Sequence, residues 1–133
     1  MKKSSFQFLN PYLTELQFRI NPEFDGSSNN ADIETAFRLH IKKSTEQNLA
    51  NVELELNINM ENKNTPFEII GKVAADFKWE DLDDQAVEAM LHLNAPALLL
   101  GYMRPIVANI TNSSAFPVYN LPFMDFRSIS ESS

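Results

Sequence analysis

Cysteine is absent from the 133 residues. That excludes disulfide staples and thiolate chemistry, and it leaves any metal site to histidine and carboxylates alone. Glycine is nearly as scarce, with three at Gly26, Gly71 and Gly101. They are too scattered for a loop that cradles a phosphate, and no Gly-x-Ser-x-Gly elbow occurs. The two histidines, His40 and His92, lack a neighbouring histidine or carboxylate at ligand spacing on a convincing face, and both read as surface residues. Glu80, Asp81, Asp83 and Asp84 cluster, but without the glycine and the twelfth-position glutamate of a calcium loop, so helix capping accounts for them. The expectation is a protein that is not an enzyme and carries no cofactor or metal.

Long apolar runs are missing too. No segment approaches the roughly 20 residues of a membrane span, and Ser4 to Glu15 holds no run of signal-peptide length, so a soluble, cytoplasmic chain without membrane insertion is expected. Asn109-Ile-Thr111 and Asn112-Ser-Ser114 match a glycosylation pattern, but with no secretion signal the match is discarded. Cations are in deficit, 11 Lys and Arg against 18 Asp and Glu for a formal charge of -7, which opposes binding to phosphate backbones and makes nucleic acid an unexpected partner.

Alternation of apolar and polar residues is plentiful. Leu16, Phe18 and Ile20 alternate with Glu15, Gln17 and Arg19, and a polar loop from Asp25 to Asp32 follows. Ile33, Thr35, Phe37, Leu39 and Ile41 form a second row, and Val52, Leu54, Leu56, Ile58 and Met60 a third. Phe67, Ile69, Val73, Ala75, Phe77 and Trp79 form a fourth, with Gly71 in the apolar series. A glycine there marks a bulge, a close approach to the backbone, or a twist. Short connections make an antiparallel meander the economical topology.

From Asp81 the period changes to that of a helix, expected to end near His92. Asn94 is placed to cap a second helix, with Pro96 in its first turn and an end near Asn112. Pro105 removes a hydrogen bond to Gly101, and a kink or break is expected there. The fold class is therefore α+β: a four-stranded antiparallel sheet followed by two C-terminal helices, one domain over residues 1–133 with 1–5 and 130–133 frayed.

The second helix is apolar over an arc of about 200°, against the roughly 100° of a one-sided surface helix. One sheet cannot hide all of it, so Leu98, Leu99, Met103, Ile106, Val107 and Ile110 are expected to meet another subunit. Ala115 to Phe126 is apolar but carries Pro117 and Pro122, which forbids a regular helix and suggests an extended segment on a surface.

The run Ala95-Pro96-Ala-Leu98-Leu99-Leu100-Gly-Tyr102-Met-Arg104, followed by Ala115-Phe116-Pro117, Asn120-Leu121 and Asp125-Phe126, resembles the SecB export-chaperone family, in which a Pro-x-x-Leu-Phe-Pro-Tyr-x-Arg helix start precedes a Phe-Pro and an Asn-Phe. The strand layout matches as well, so the resemblance covers the chain from about Phe6 to Ile129. It implies a homotetramer built as a dimer of dimers, an ATP-independent holdase that binds unfolded preproteins in apolar grooves and delivers them to the SecA translocase motor. On that basis the polypeptide-binding candidates are Phe116, Tyr119, Leu121, Phe123, Met124 and Phe126, with Phe77 and Trp79 beside them. Glu15 and Glu68 are the candidates for docking a partner on the polar face of the sheet. Gly101 stands where the family has proline and Pro105 where it has an acidic residue. Arg19 and Ile70 stand at other docking positions, and the family's longer tail has no counterpart after Ser133. Two other readings use the same scaffold: a dedicated chaperone of one partner such as an antitoxin, and a structural or small-ligand-binding oligomer.

Overall fold

Phe67–Trp79 is the longest strand, β5, and the other strands are arranged on its two sides. The computed structural model describes residues 6–24, 33–44, 46–60, 65–114, 119–121 and 126. The expected frayed ends, 1–5 and 130–133, lie outside the described residues. The strands before β5 are β1 (Phe6–Phe8), β2 (Tyr12–Ile20), β3 (Thr35–Ser44) and β4 (Leu49–Ile58), and a helical stretch follows it.

All pairings are antiparallel, but the sheet is not a meander. β3, β4 and β5 are hairpin neighbours, whereas β2 crosses to the far side of β5 instead of pairing with β3. Three consecutive strands with a fourth brought to their far side make a Greek key. Local alternation says which face of a strand is wet, not which neighbour it takes, so the crossover was outside its reach.

β1 is an element that the alternation reading passed over. Phe6 to Phe8 pairs with Phe77 to Trp79, directly beyond the stretch of β5 taken by β2, so both strands share one edge of β5. Pro11 lies between them, where a residue without an N–H interrupts the ladder at no cost. Phe6 stacks on Phe77 at 5.4 Å between ring centroids and on Trp79 at 6.2 Å. The third row needs one correction. β4 ends at Ile58 and Asn59 turns the chain with φ 63°, so Met60 is exposed while Asn59 is buried. Asn59 accepts from Glu34 N and donates to the Phe67 carbonyl, which satisfies its amide inside the core.

The helix α1 (Asp84–Ala89) starts as its acidic residues imply. Asp83 is the N-cap, and its carboxylate accepts from Ala86 N at 2.7 Å. The chain then passes through a π turn, Met90–Asn94, into α2 (Ala95–Asn112). Asn94 is itself helical and makes no side-chain cap, so the two helical segments are continuous rather than separately capped. Pro96 explains the wide turn: it has no N–H to offer the His92 carbonyl and its ring crowds that oxygen, and a π turn relieves both. Pro105 does not break α2. Pro105 and Gly101 are both exposed, so water can take the carbonyl that the missing N–H leaves open.

α2 lies across β4 and β5, and one cluster of buried side chains joins helix to sheet. Gly71 is the point of closest approach: a Cβ there would stand 3.1 Å from Met103 Cε and 3.2 Å from its Sδ. The ladder runs through Gly71 without a shift, while the one irregularity of β2 falls at Thr14, between Leu13 and Glu15. Close approach is therefore the role of this glycine.

Candidate functional site

Three surfaces carry the residues singled out by the sequence. The first is a strap lying along α2. Thr111, buried near the end of the helix, bonds its own turn through the Val107 carbonyl at 2.8 Å and accepts from Tyr119 N at 2.8 Å. Arg104, two turns earlier, donates from Nη1 to the Leu121 carbonyl. The Tyr119 hydroxyl pairs with Thr35 Oγ1 at 2.9 Å, which ties the strap to the start of β3. Tyr119 also packs on Phe67, and Phe126 meets Phe37 edge-on at 6.3 Å between centroids. Of the expected binding residues, Leu121 and Phe126 are buried in the chain's own core and Tyr119 is half-buried against it. Phe116, Phe123 and Met124 lie outside the described residues. Phe77 and Trp79 are buried at the far end of β5 beneath Phe6, away from the strap. Arg104, Thr111 and Thr35 were not singled out for this surface: a helix-end threonine and a strand-start threonine carry no sequence signal of their own.

The second surface is the wide arc of α2. Leu99, Met103 and Val107, each four residues apart, are fully buried against the sheet. Leu98, Ile106 and Ile110 are only half-buried, and Tyr102 between them is 48% exposed. Three of the six expected interface residues are thus consumed by the chain's own core, and the other three form a ridge with Tyr102. Beside it, β2 is the least covered strand: Leu13 and Ile20, on its inward row, remain about 44% exposed. Phe8 and Leu9 are exposed at the same edge of β5, whereas Tyr12, also exposed, lies on the outer face, where its hydroxyl accepts from Asn51 Nδ2 at 3.2 Å.

The third surface is the outer face of the sheet. Glu55 on β4 is its electrostatic centre, with Arg38 Nη1 at 3.8 Å, His40 Nε2 at 3.3 Å, Lys72 Nζ at 3.7 Å and a hydrogen bond from Asn57 at 2.8 Å. Burial raises the pKa of this carboxyl, but the hydrogen bonds from Asn57 and His40 and the charges of Lys72 and Arg38 outweigh it, and the net shift is downward. Lys72 is shared with Glu15 at 3.5 Å, and the carboxylates of Glu15 and then Glu55 hold its ammonium pKa above the usual lysine value. Glu15 is thereby engaged within the chain and also accepts from Gln17 at 2.8 Å. Glu68 stands opposite Arg19 in the register, and both line a shallow depression of about 410 Å³ with Met60 and Ile70. The two docking candidates share this face, separated along it by Ile70 and Lys72. Each carries a basic residue directly across the ladder, which cross-strand pairing favours.

Among the described residues no group of three or more His, Asp or Glu is placed to hold a metal ion, and no helix is long and apolar enough to cross a membrane. His40 lies on the outer face, and His92 Nδ1 contacts the Glu88 carbonyl at 2.9 Å.

Comparison with known proteins gives the arrangement a context. Residues 1–133 match the family model described as preprotein translocase subunit SecB. A protein-export protein SecB of Ehrlichia ruminantium is 29% identical over 144 residues, covering 98% of this chain and 83% of the relative. That of Dinoroseobacter shibae is 30% identical over 98 residues, covering 71% of this chain and 57% of the relative. Among solved structures, a SecB-like chaperone of Mycobacterium tuberculosis, in complex with a peptide from an antitoxin, superposes with a TM-score of 0.72 at 15% identity, covering 90% of this chain and 91% of that one. The backbone likeness agrees with the Greek-key sheet and its long C-terminal helix. A match to the family model along its whole length makes this chain a member of the SecB family.

Proposed function

We propose that this protein is an ATP-independent chaperone that holds unfolded polypeptides, preproteins bound for export among them. The observation that carries the reading is the match of the entire chain to the SecB family. The surface described above supports it in physical terms. Holding needs no bond to be made or broken; it needs apolar area for an unfolded segment to cover and backbone groups for it to pair with. Exposed Phe8 and Leu9 offer the first, and the edge of β2 that pairs with no described strand offers the second. The reading places the protein in the cytoplasm, without catalytic activity.

Purified protein is expected to suppress the aggregation of a chemically denatured client on dilution at near-stoichiometric amounts, without ATP. No slowing of aggregation and no micromolar binding of an unfolded chain would refute the proposal.

The reading extends to assembly as a dimer of dimers. The Leu98, Tyr102, Ile106 and Ile110 ridge and the uncovered inner row of β2 are apolar surfaces that a second copy of the chain would cover. Light scattering that gives a monomer at micromolar concentration would end this part. Docking to the SecA motor is left out of the proposal, because Arg19, Arg38 and Lys72 interrupt the acidic face on which it would rest.

A second reading, a chaperone dedicated to one partner, is favoured by the structural neighbour solved with an antitoxin peptide. Polypeptides co-purified from the native host decide between them: many unrelated chains support general holding, a single species the dedicated role.

A further inference from the structure

The strap is held to α2 through its own backbone. Thr111 Oγ1 takes a backbone N–H, from Tyr119, and the Arg104 guanidinium gives to a backbone carbonyl, that of Leu121. Neither contact reads a side chain. The two clip residues stand seven positions apart on one helix, about 10 Å along its axis. Three extended residues also span roughly 10 Å, so an extended backbone running antiparallel to α2 meets both at once. Around the clips the helix and sheet provide apolar seats, which Tyr119, Leu121 and Phe126 fill. Among the described residues, the Tyr119 hydroxyl, paired with Thr35 Oγ1, adds a contact that depends on the occupant's own sequence.

We propose that Arg104 and Thr111 form a sequence-independent docking site for an extended polypeptide backbone, occupied in the free protein by the chain's own residues 119–121 and taken over by a client on binding. The inference rests on the holding function proposed above and assigns it a seat. The geometry supports exchange: the occupant lies in no sheet ladder, and an unfolded chain with an aromatic or aliphatic side chain at alternate positions satisfies the same donor and acceptor. The Tyr119–Thr35 bond is then a latch that favours self-occupancy, and a client's apparent affinity is reduced by the fraction of molecules in which the seat is closed.

The test uses the intact protein and reduced, carboxymethylated lysozyme as a permanently unfolded probe. Saturating probe is expected to raise hydrogen exchange in peptides covering Tyr119 to Leu121, because their own clips are lost to the client backbone. Tyr119→Phe removes the latch hydroxyl and leaves both clips; with one neutral hydrogen bond lost from the closed state, the probe is expected to bind about fivefold tighter. Far-UV circular dichroism checks that the variant is folded, and the exchange experiment stands on wild type alone. Probe binding with unchanged or reduced exchange at 119–121, or a Tyr119→Phe protein that binds no tighter, overturns this inference and leaves the holding function intact. Absence of binding by both proteins overturns the two together.

Discussion

Gly71 and Met103 are where the helix comes closest to the sheet, and replacing Gly71 by valine tests whether that contact sets the helix position. A Cβ at residue 71 already stands 3.1 Å from Met103 Cε and 3.2 Å from Sδ, and valine adds two methyl groups to a site with no spare room. Met103 is fully buried, so it cannot swing into solvent. Overpacking of this kind costs about 2 kcal/mol, or a fall in Tm of about 6–10 °C for a chain of this length. The lone tryptophan, Trp79, is buried at the end of β5 and reports unfolding by fluorescence in urea at fixed protein concentration. Met103→Ala alone should lose about 3 kcal/mol through the cavity it leaves. Combined with Gly71→Val, the loss should fall short of the sum by about 1 kcal/mol or more, since the valine fills part of that cavity. A Gly71→Val protein within about 0.5 kcal/mol of wild type, or strict additivity in the double variant, would refute the close-approach account.

Gly101, within α2, should respond with the opposite sign. A Cβ on Gly101 meets nothing within 4 Å, so Gly101→Ala should raise the chain's stability by about 1 kcal/mol through helix propensity, measured by urea unfolding; a loss would mean that another surface packs there. Asp83→Ala should cost about 1 kcal/mol by removing the cap bond to Ala86 N, with Asp83→Asn close to wild type. The Glu55 carboxyl has a folded-state pKa below its unfolded value, so its contribution is fully present above the unfolded pKa, about 4.3, and disappears as pH falls through the lower folded value. Glu55→Gln should therefore be less stable than wild type at pH 7, with the difference shrinking in acid. A constant difference between pH 7 and pH 3 would contradict this.

Of the binding surface, the sequence showed which residues were apolar and near the C-terminus, and the family resemblance suggested their use. The strap's chemistry was not legible there. Thr111 and Arg104 act through the backbone of residues 119–121, and no side-chain pattern encodes a contact made to a peptide group. The six residues assigned to the arc of α2 were expected to find cover in another subunit. Leu99, Met103 and Val107 found it in the same chain, and only a packed structure separates that row from the ridge of Leu98, Ile106 and Ile110.

What the sequence by itself determined is local: the period-two rows of β2 to β5, the helical period from Asp81, the absence of the groups that nucleotide or thiol chemistry needs, and a glycine inside an apolar row. Each follows from a residue and its near neighbours. Tertiary structure alone decided that β2 crosses to the far side of β5, that β1 shares that edge, and that Lys72 binds Glu15 and Glu55 together. These are choices among partners far apart in the chain, and their free energy comes from contacts that exist only once the sheet and helix are packed.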